Sequence, residues 1–466
     1  MVKNLKKDLD YAVKDGVAHS AMMGMGENYL SPYAIALGAN DVQVGLLTSI
    51  PQLLGSFSQL FSTKITEKIG SRKKMVLIFT LIQTLLWFPI GLLMFSSYQV
   101  IWNLILLVTV YWISATIVIP AWTSWVGDLV PVKSKGKFFG KRRTYSGISL
   151  FVSLTIAGMI LFISSKFRPL LGFGIIFTIA FVSKFISWNY LRKMKEPAFH
   201  VYDENKFTFF EFVKRMPKTN FGKFVIFFTL MTFSVNIAAP YFSVYMLKDM
   251  GLNYFTYTAI LSVSKITSFI FIGIWGKYSD FFGNRKIMAL TGSILFLLPA
   301  LWALSTNVIY LISVQILSGF LWSGFNISTF NFIFDVVSPS KRVRCVSYLN
   351  VLNGLAIFLG ASLGSLLMSF STPFWSSFIL VLIFSALGRV IVSQIMLPKI
   401  KEVKWVDGRG ERKLLISVMS DVSEGLKYPI SFLSNRRLIV KRRSERVIEE
   451  IRKFIEKVLG KRHKYE

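Results

Sequence analysis

Twelve stretches of about twenty mostly apolar residues, parted by short polar breaks, constrain this chain more than any other feature. A helix of that length rises about 1.5 Å per residue, enough to cross about 30 Å of hydrocarbon. The stretches fall at about 12–37, 41–65, 74–96, 98–127, 142–165 and 169–192, then at 221–247, 254–279, 287–305, 307–336, 345–370 and 372–396. Of 466 residues, 53% are hydrophobic and 17% charged, and Phe alone occurs 43 times. A soluble fold of this length needs more polar residues for its surface. The expected class is an all-α polytopic membrane protein with twelve transmembrane helices.

The net charge of +30 raises nucleic acid as a partner, but the placement of the basic residues argues against it. They cluster between apolar runs and in one C-terminal stretch. Lys68, Arg72, Lys73 and Lys74 sit in one break. Lys133, Lys135, Lys137, Lys141, Arg142 and Arg143 sit in a second, and Lys341, Arg342 and Arg344 in a third. The alternate breaks, GAND, SSYQ, STN and SFSTP, are poor in charge; Lys166 with Arg168, and Lys248 beside Asp249, are the exceptions. Positive charge held inside predicts a multi-pass protein of the cell membrane with both termini cytoplasmic. An even number of spans requires the two termini to lie on the same side, which agrees. The N-terminal MVKNLKKDLDYAVKDG lacks a short apolar core before a small-residue cleavage site, so an uncleaved first span is expected. Cys345 is the one cysteine, which excludes an intrachain disulfide.

The basic phrase STKITEKIGSRKKM at residue 62 returns as WGKYSDFFGNRKIM at residue 275. At an offset of 213, Lys64 meets Lys277, Glu67 meets Asp280, Gly70 meets Gly283, and Arg72 meets Arg285. SPY at 31–33 meets APY at 239–241, and Asp128 meets Asp335. Each of those aspartates is followed by a proline, Pro131 or Pro339, and then by basic residues. A shared offset near 210 predicts two six-span halves of like topology. The domains read as an N-terminal segment 1–11, a bundle 12–192, a linker 193–220, a bundle 221–396 and a basic tail 397–466. Thr208 followed by Glu211 predicts a short capped helix in the linker. In the tail, Val447, Ile448, Ile451, Phe454, Ile455, Val458 and Leu459 have helical spacing with a charged opposite face. That helix is read as docked under the bundle or lying on anionic lipid, with partner binding as the alternative.

This order of elements resembles the major facilitator superfamily over about residues 12–396. The family carries G-x-x-x-D-R-x-G-R-R between its second and third spans. Gly276, Asp280, Gly283, Arg285 and Lys286 fit that pattern. The first copy keeps Gly70 and Arg72 but has Thr63, Glu67, Lys68 and Ser71 where the family has Gly, Asp, Arg and Arg. The resemblance implies two pseudo-symmetric six-helix bundles and a cytoplasmic gate built from Glu67, Gly70, Arg72, Gly276, Asp280, Gly283 and Arg285, with Asp128 and Asp335 in gating or packing. An acid at 67 or 280 could also accept bonds from the orphaned N-terminus of a neighbouring helix. The chain departs from the family in span four, which lacks an Arg near its start. It departs again in span five, which lacks the Gly-Pro of drug–proton antiporters.

Ionisable residues inside spans are costly and mark pathways or polar interiors. Glu27, near the middle of the first span, is the expected coupling residue, with a structural carboxylate as the alternative. Asp15 and His19, four residues apart, fall with it within about a third of the helix circumference. A contact of His19 with Asp15 is the simpler reading of that pair. Lys265 lies midway along span eight, opposite Gln52 in the repeat, and could bind an anionic group or counter Glu27. Trp122, Ser124, Asn326 and Asn331 give spans four and ten polar and aromatic surface; Ser124 and Asn331 are repeat mates. Lys184 and Arg389, closer to the ends of spans six and twelve, are expected to snorkel.

No GxxxxGK[ST] loop, Cys/His cluster or nucleophile arrangement appears in the sequence, so no cofactor, no metal and no enzymatic activity is expected. The expected function is secondary transport of a small solute by alternating access, with protons as the expected coupling ion. Lipids are the other partner, and a functional monomer is expected. The alternatives are efflux of amphipathic or cationic compounds and a non-transporting membrane receptor or scaffold.

Overall fold

A computed structural model describes residues 2–96, 99–131, 135–197, 207–370 and 376–403. The amphipathic helix expected within the tail lies outside the described residues. Seventeen α-helices are described, in order α1 (Val2–Met25), α2 (Leu30–Ala36), α3 (Asp41–Ser58), α4 (Ser62–Ile69), α5 (Arg72–Leu92), α6 (Val100–Leu129), α7 (Lys135–Ser164), α8 (Pro169–Lys193) and α9 (Phe209–Arg215). Then follow α10 (Asn220–Asn236), α11 (Phe242–Val244), α12 (Tyr254–Phe282), α13 (Asn284–Ile294), α14 (Leu297–Trp302), α15 (Val308–Val336), α16 (Pro339–Met368) and α17 (Ser377–Met396).

Among the described residues, ten helical segments are long and apolar enough to cross a membrane, the first being Arg72–Phe95 and the last Ser377–Lys399. The first two of the twelve expected spans are not among them. α1 carries Lys3, Lys6, Lys7, Asp8, Asp10, Lys14 and Asp15 and stops at Met25. The second is split by a 3-10 turn, Gln59–Phe61, between α3 and α4. Large apolar side chains face outward along the other helices, with Phe88 66% and Leu106 63% exposed. That surface suits lipid, where no hydrophobic force pulls helices together and packing and polar contacts must hold them.

The first span is discontinuous. Gly26 separates α1 from a 3-10 turn, Glu27–Tyr29, which leads into α2. A methyl at Gly26 would run into the ring of Trp87, so close approach of the indole requires glycine there. The seventh expected span breaks at the matching place: α10 ends at Asn236, a 3-10 turn covers Ala239–Tyr241, and a π-turn covers Tyr245–Asp249. The linker helix α9 has the expected capping box, with Thr208 Oγ1 accepting from the Glu211 amide and Glu211 accepting from that of Thr208.

Helix packing joins the two sequence halves along α3 with α16 and along α7 with α12. The apolar core divides unevenly between the two ends of these helices. At the end with short loops poor in charge, one cluster runs from Tyr29, Tyr33 and Val44 into Ile237, Tyr241 and Ile260. There Tyr29 hydroxyl meets Thr258 Oγ1 at 2.8 Å, and Lys248 Nζ donates to Ala39 O and to Asp41 at 3.1 Å. Lys248 thus forms an ion pair with Asp41. Nearer the basic turns, one cluster includes Ala12, Trp125 and Met194, and a separate one includes Phe212, Phe325 and Ile400.

Candidate functional site

The break at Gly26 turns Glu27 off the continuous α1 helix, so the shared face inferred for Asp15, His19 and Glu27 ends before Glu27. Glu27 Oε1 accepts from the Tyr111 hydroxyl on α6 at 2.5 Å. Lys184, on α8, is within electrostatic reach of both Glu27 and Asp15. Its ammonium lies 2.9 Å from His19 Nδ1. The expected snorkelling of Lys184 is therefore corrected: it is 4% exposed and turned inward, because α8 packs along α1 and α5. Asp15 and His19 do not pair with each other. Asp15 accepts from Ser187 Oγ at 2.7 Å and pairs with Arg142 at 3.2 Å. The Arg142 guanidinium also stacks over Trp122 at 4.4 Å, which gives that indole a partner within the protein. A chain of mutually compensating charges thus runs through α1, α6, α7 and α8. Tyr111, Ser187 and Arg142 were not singled out as its members from sequence, because the contacts join residues more than 80 positions apart.

The second half of the chain holds a cavity of about 520 Å³. Lys265 of α12 and Arg389 of α17 line it, together with Gln315, Ser318 and Trp322 of α15. Asn28, beside Glu27, reaches it from the first half. Arg389 was also expected to snorkel; it is 4% exposed and donates to Leu295 O at 3.0 Å. None of the described ion pairs joins Lys265 to Glu27, whose carboxylate bonds to Tyr111. Gln52 is half-buried on α3, where that helix packs on α16, and Asn326 is exposed on α15; neither lines this cavity.

The repeated turn motif lies at the basic end. Gly70 and Gly283 have φ of 71° and 90°, a region that costs other residues strain, and each immediately precedes the third span of its half. Arg72, 3% exposed, donates to Asp128 at 2.6 Å and to Ser124 at 2.8 Å. In the second copy Asn284 donates to Asp335 at 2.6 Å, and Asn331 donates to Ser279 at 3.2 Å. Asp128 and Asp335 thus bind the turn of their own half. Glu67 and Asp280 are exposed, and Gly276 lies within α12 where an added methyl would meet nothing.

The orphaned amides at the starts of α5 and α13 are taken by two residues that the motif did not include. Glu196 accepts from the Arg72 amide at 2.8 Å and from Ser71 Oγ at 2.5 Å. Glu402 accepts from the Arg285 amide at 2.8 Å. A sequence signal for them exists: Leu191, Lys193, Lys195 and Glu196 match Leu397, Lys399, Lys401 and Glu402 at an offset of 206.

No metal-binding group of three or more His, Cys, Asp or Glu is found among the described residues. No curated protein matches the chain in sequence. Solved structures share the fold. The nucleoside transporter NupG is 16% identical with a TM-score of 0.63, covering 85% of this chain and 99% of its own. A D-xylose-proton symporter is 10% identical at TM-score 0.66, covering 86% and 98%. A bacterial homologue of the iron transporter ferroportin, solved in an inward-facing state, is 15% identical at 0.62, also covering 86% and 98%. A family model described as Major Facilitator Superfamily matches residues 19–266 and 224–443. With that match over most of its length, the chain belongs to the Major Facilitator Superfamily.

Proposed function

We propose that the protein is a secondary transporter, not an enzyme, that carries a small solute by rocking two six-span halves, residues 12–192 and 221–396, about a central cavity. The observation that carries this reading is the uneven core. One apolar cluster crosses both halves at the short-loop end, and each half has its own cluster nearer the basic turns. Such a partition suits a state sealed at one face and parted at the other. The basic turns belong on the cytoplasmic side in this reading, by the distribution of Lys and Arg. The sealed face is then external. The matching breaks after α1 and α10 supply the bends that rocking needs, close to Glu27 and to the cavity lining.

Glu27 is the coupling group in this reading. A half-buried carboxylate held by a tyrosine hydroxyl changes its proton affinity when the surroundings open to water. The groups that face it are Tyr111 from α6 and Lys184 from α8, with His19 and Asp15 of α1 adjoining Lys184. The test is solute flux in proteoliposomes with and without a pH gradient, repeated with Glu27→Gln. The gradient should accelerate flux in the parent protein, and the variant should lose at least about tenfold of that acceleration. An unaltered gradient dependence in the variant removes Glu27 from coupling.

A further inference from the structure

We propose that the solute is an anion, a carboxylate- or phosphate-bearing molecule with an apolar body, held between Lys265 and Arg389 in the cavity of the second half. This rests on the transporter reading and adds a substrate class to it. Both cations line the same cavity, from α12 and α17, and among the described residues no Asp or Glu lines it. Arg389 is 4% exposed, yet its Nε has no hydrogen-bond partner, and its described bond is to a neutral carbonyl, that of Leu295. Lys265 opens onto the cavity and takes part in none of the described ion pairs.

A guanidinium removed from water and left without an anion is unfavourable, and its planar fork matches the oxygens of a carboxylate or phosphate. An ammonium facing the same space adds a second, less directional contact. A cationic solute would instead meet two like charges. Trp322 and Trp302 form apolar wall, and Gln315 and Ser318 add neutral donors for orientation. The cavity, at about 520 Å³, suits a small molecule. Asn28 brings the first half to its edge, so occupancy can be felt at the neighbouring Glu27.

The test is thermal unfolding of the full chain in neutral detergent at low salt. The probes are inorganic phosphate, benzoate and glucose 6-phosphate as anions, xylose and uridine as neutral solutes, and tetraphenylphosphonium as a cation. At least one anion should raise the melting temperature by about 2 °C or more at saturation. Lys265→Gln and Arg389→Gln should each weaken that response at least about tenfold in probe concentration. The lysine variant keeps the experiment decisive if the buried arginine proves essential for folding, since Lys265 faces open space.

A neutral or cationic probe that stabilises the parent and Lys265→Gln alike, with anions inert, overturns the anion assignment and leaves the transporter standing. Stabilisation confined to nanodiscs with phosphatidylglycerol over phosphatidylcholine also overturns it, because the anion recognised is then a lipid headgroup. Failure of the transporter reading has a different signature: no probe crosses the proteoliposome membrane in any variant.

Discussion

Lys184 and Arg389 occupy matching places in the two halves, 205 residues apart, and their surroundings differ in one respect. Both are 4% exposed, Lys184 on α8 and Arg389 on α17. Around Lys184 the protein supplies His19 directly and the carboxylates of Asp15 and Glu27 within electrostatic reach. Around Arg389 it supplies a carbonyl, a second cation across a cavity and, among the described residues lining that cavity, no acid. A charged side chain at the centre of a span costs about 2.5–3.5 kcal/mol on insertion scales, so each arrangement needs an offset. In the first half that offset is internal. In the second half it is left to whatever enters the cavity.

The largest expected effect breaks this contrast directly. Asp15→Ala leaves Arg142 and Lys184 without their buried carboxylate and should destabilise by about 3–5 kcal/mol. Arg389→Met removes an uncompensated cation and should change stability by less than about 1 kcal/mol, or raise it. Unfolding in mixed micelles measures both; equal losses would erase the distinction between the halves. Arg72→Ala comes next, at about 2–3 kcal/mol, because Arg72 is buried while its partner Asp128 is half in solvent.

The two glutamate caps sharpen the comparison at smaller scale. Glu196→Gln should cost about 1–2 kcal/mol, since Glu196 takes two donors of the α5 start as well as the Arg72 side chain at 3.5 Å. No loss, read from the same unfolding curves, would show that the turn before α5 is held differently from this account. Lys248→Ala, which removes a half-exposed pair with Asp41, should alter stability by under about 1 kcal/mol. Its effect belongs in the balance between the two faces: cysteine accessibility at the short-loop end should rise.

The sequence made the architecture legible where the signal is local. Apolar run lengths located the long helices, Thr208 and Glu211 announced α9, and the offset of 213 paired the turns that carry Gly70 and Gly283. The boundaries failed where packing overrides pattern. Nothing in the alternation of residues near Gly26 says that Trp87 will press against it and that the helix will stop. Lys184 and Arg389 read as snorkelling because a helical wheel gives depth but not the neighbour. The side of a helix that faces α1 rather than lipid is decided by residues about 170 positions away. The partners of Glu27 and Arg72 were hidden for the same reason. Glu196 and Glu402 were recoverable from their own repeat, which lies beyond the last span of each half, where attention to apolar runs stops.

The central claim is that the sealed and parted ends exchange places. Paired spin labels at Val42 with Met250 report the short-loop end, and at Lys68 with Phe281 the basic end, on a Cys345→Ser background. On adding transported solute, the account predicts a longer Val42–Met250 distance and a shorter Lys68–Phe281 distance in the same population. Two distances that stay fixed, or that lengthen together, would contradict it.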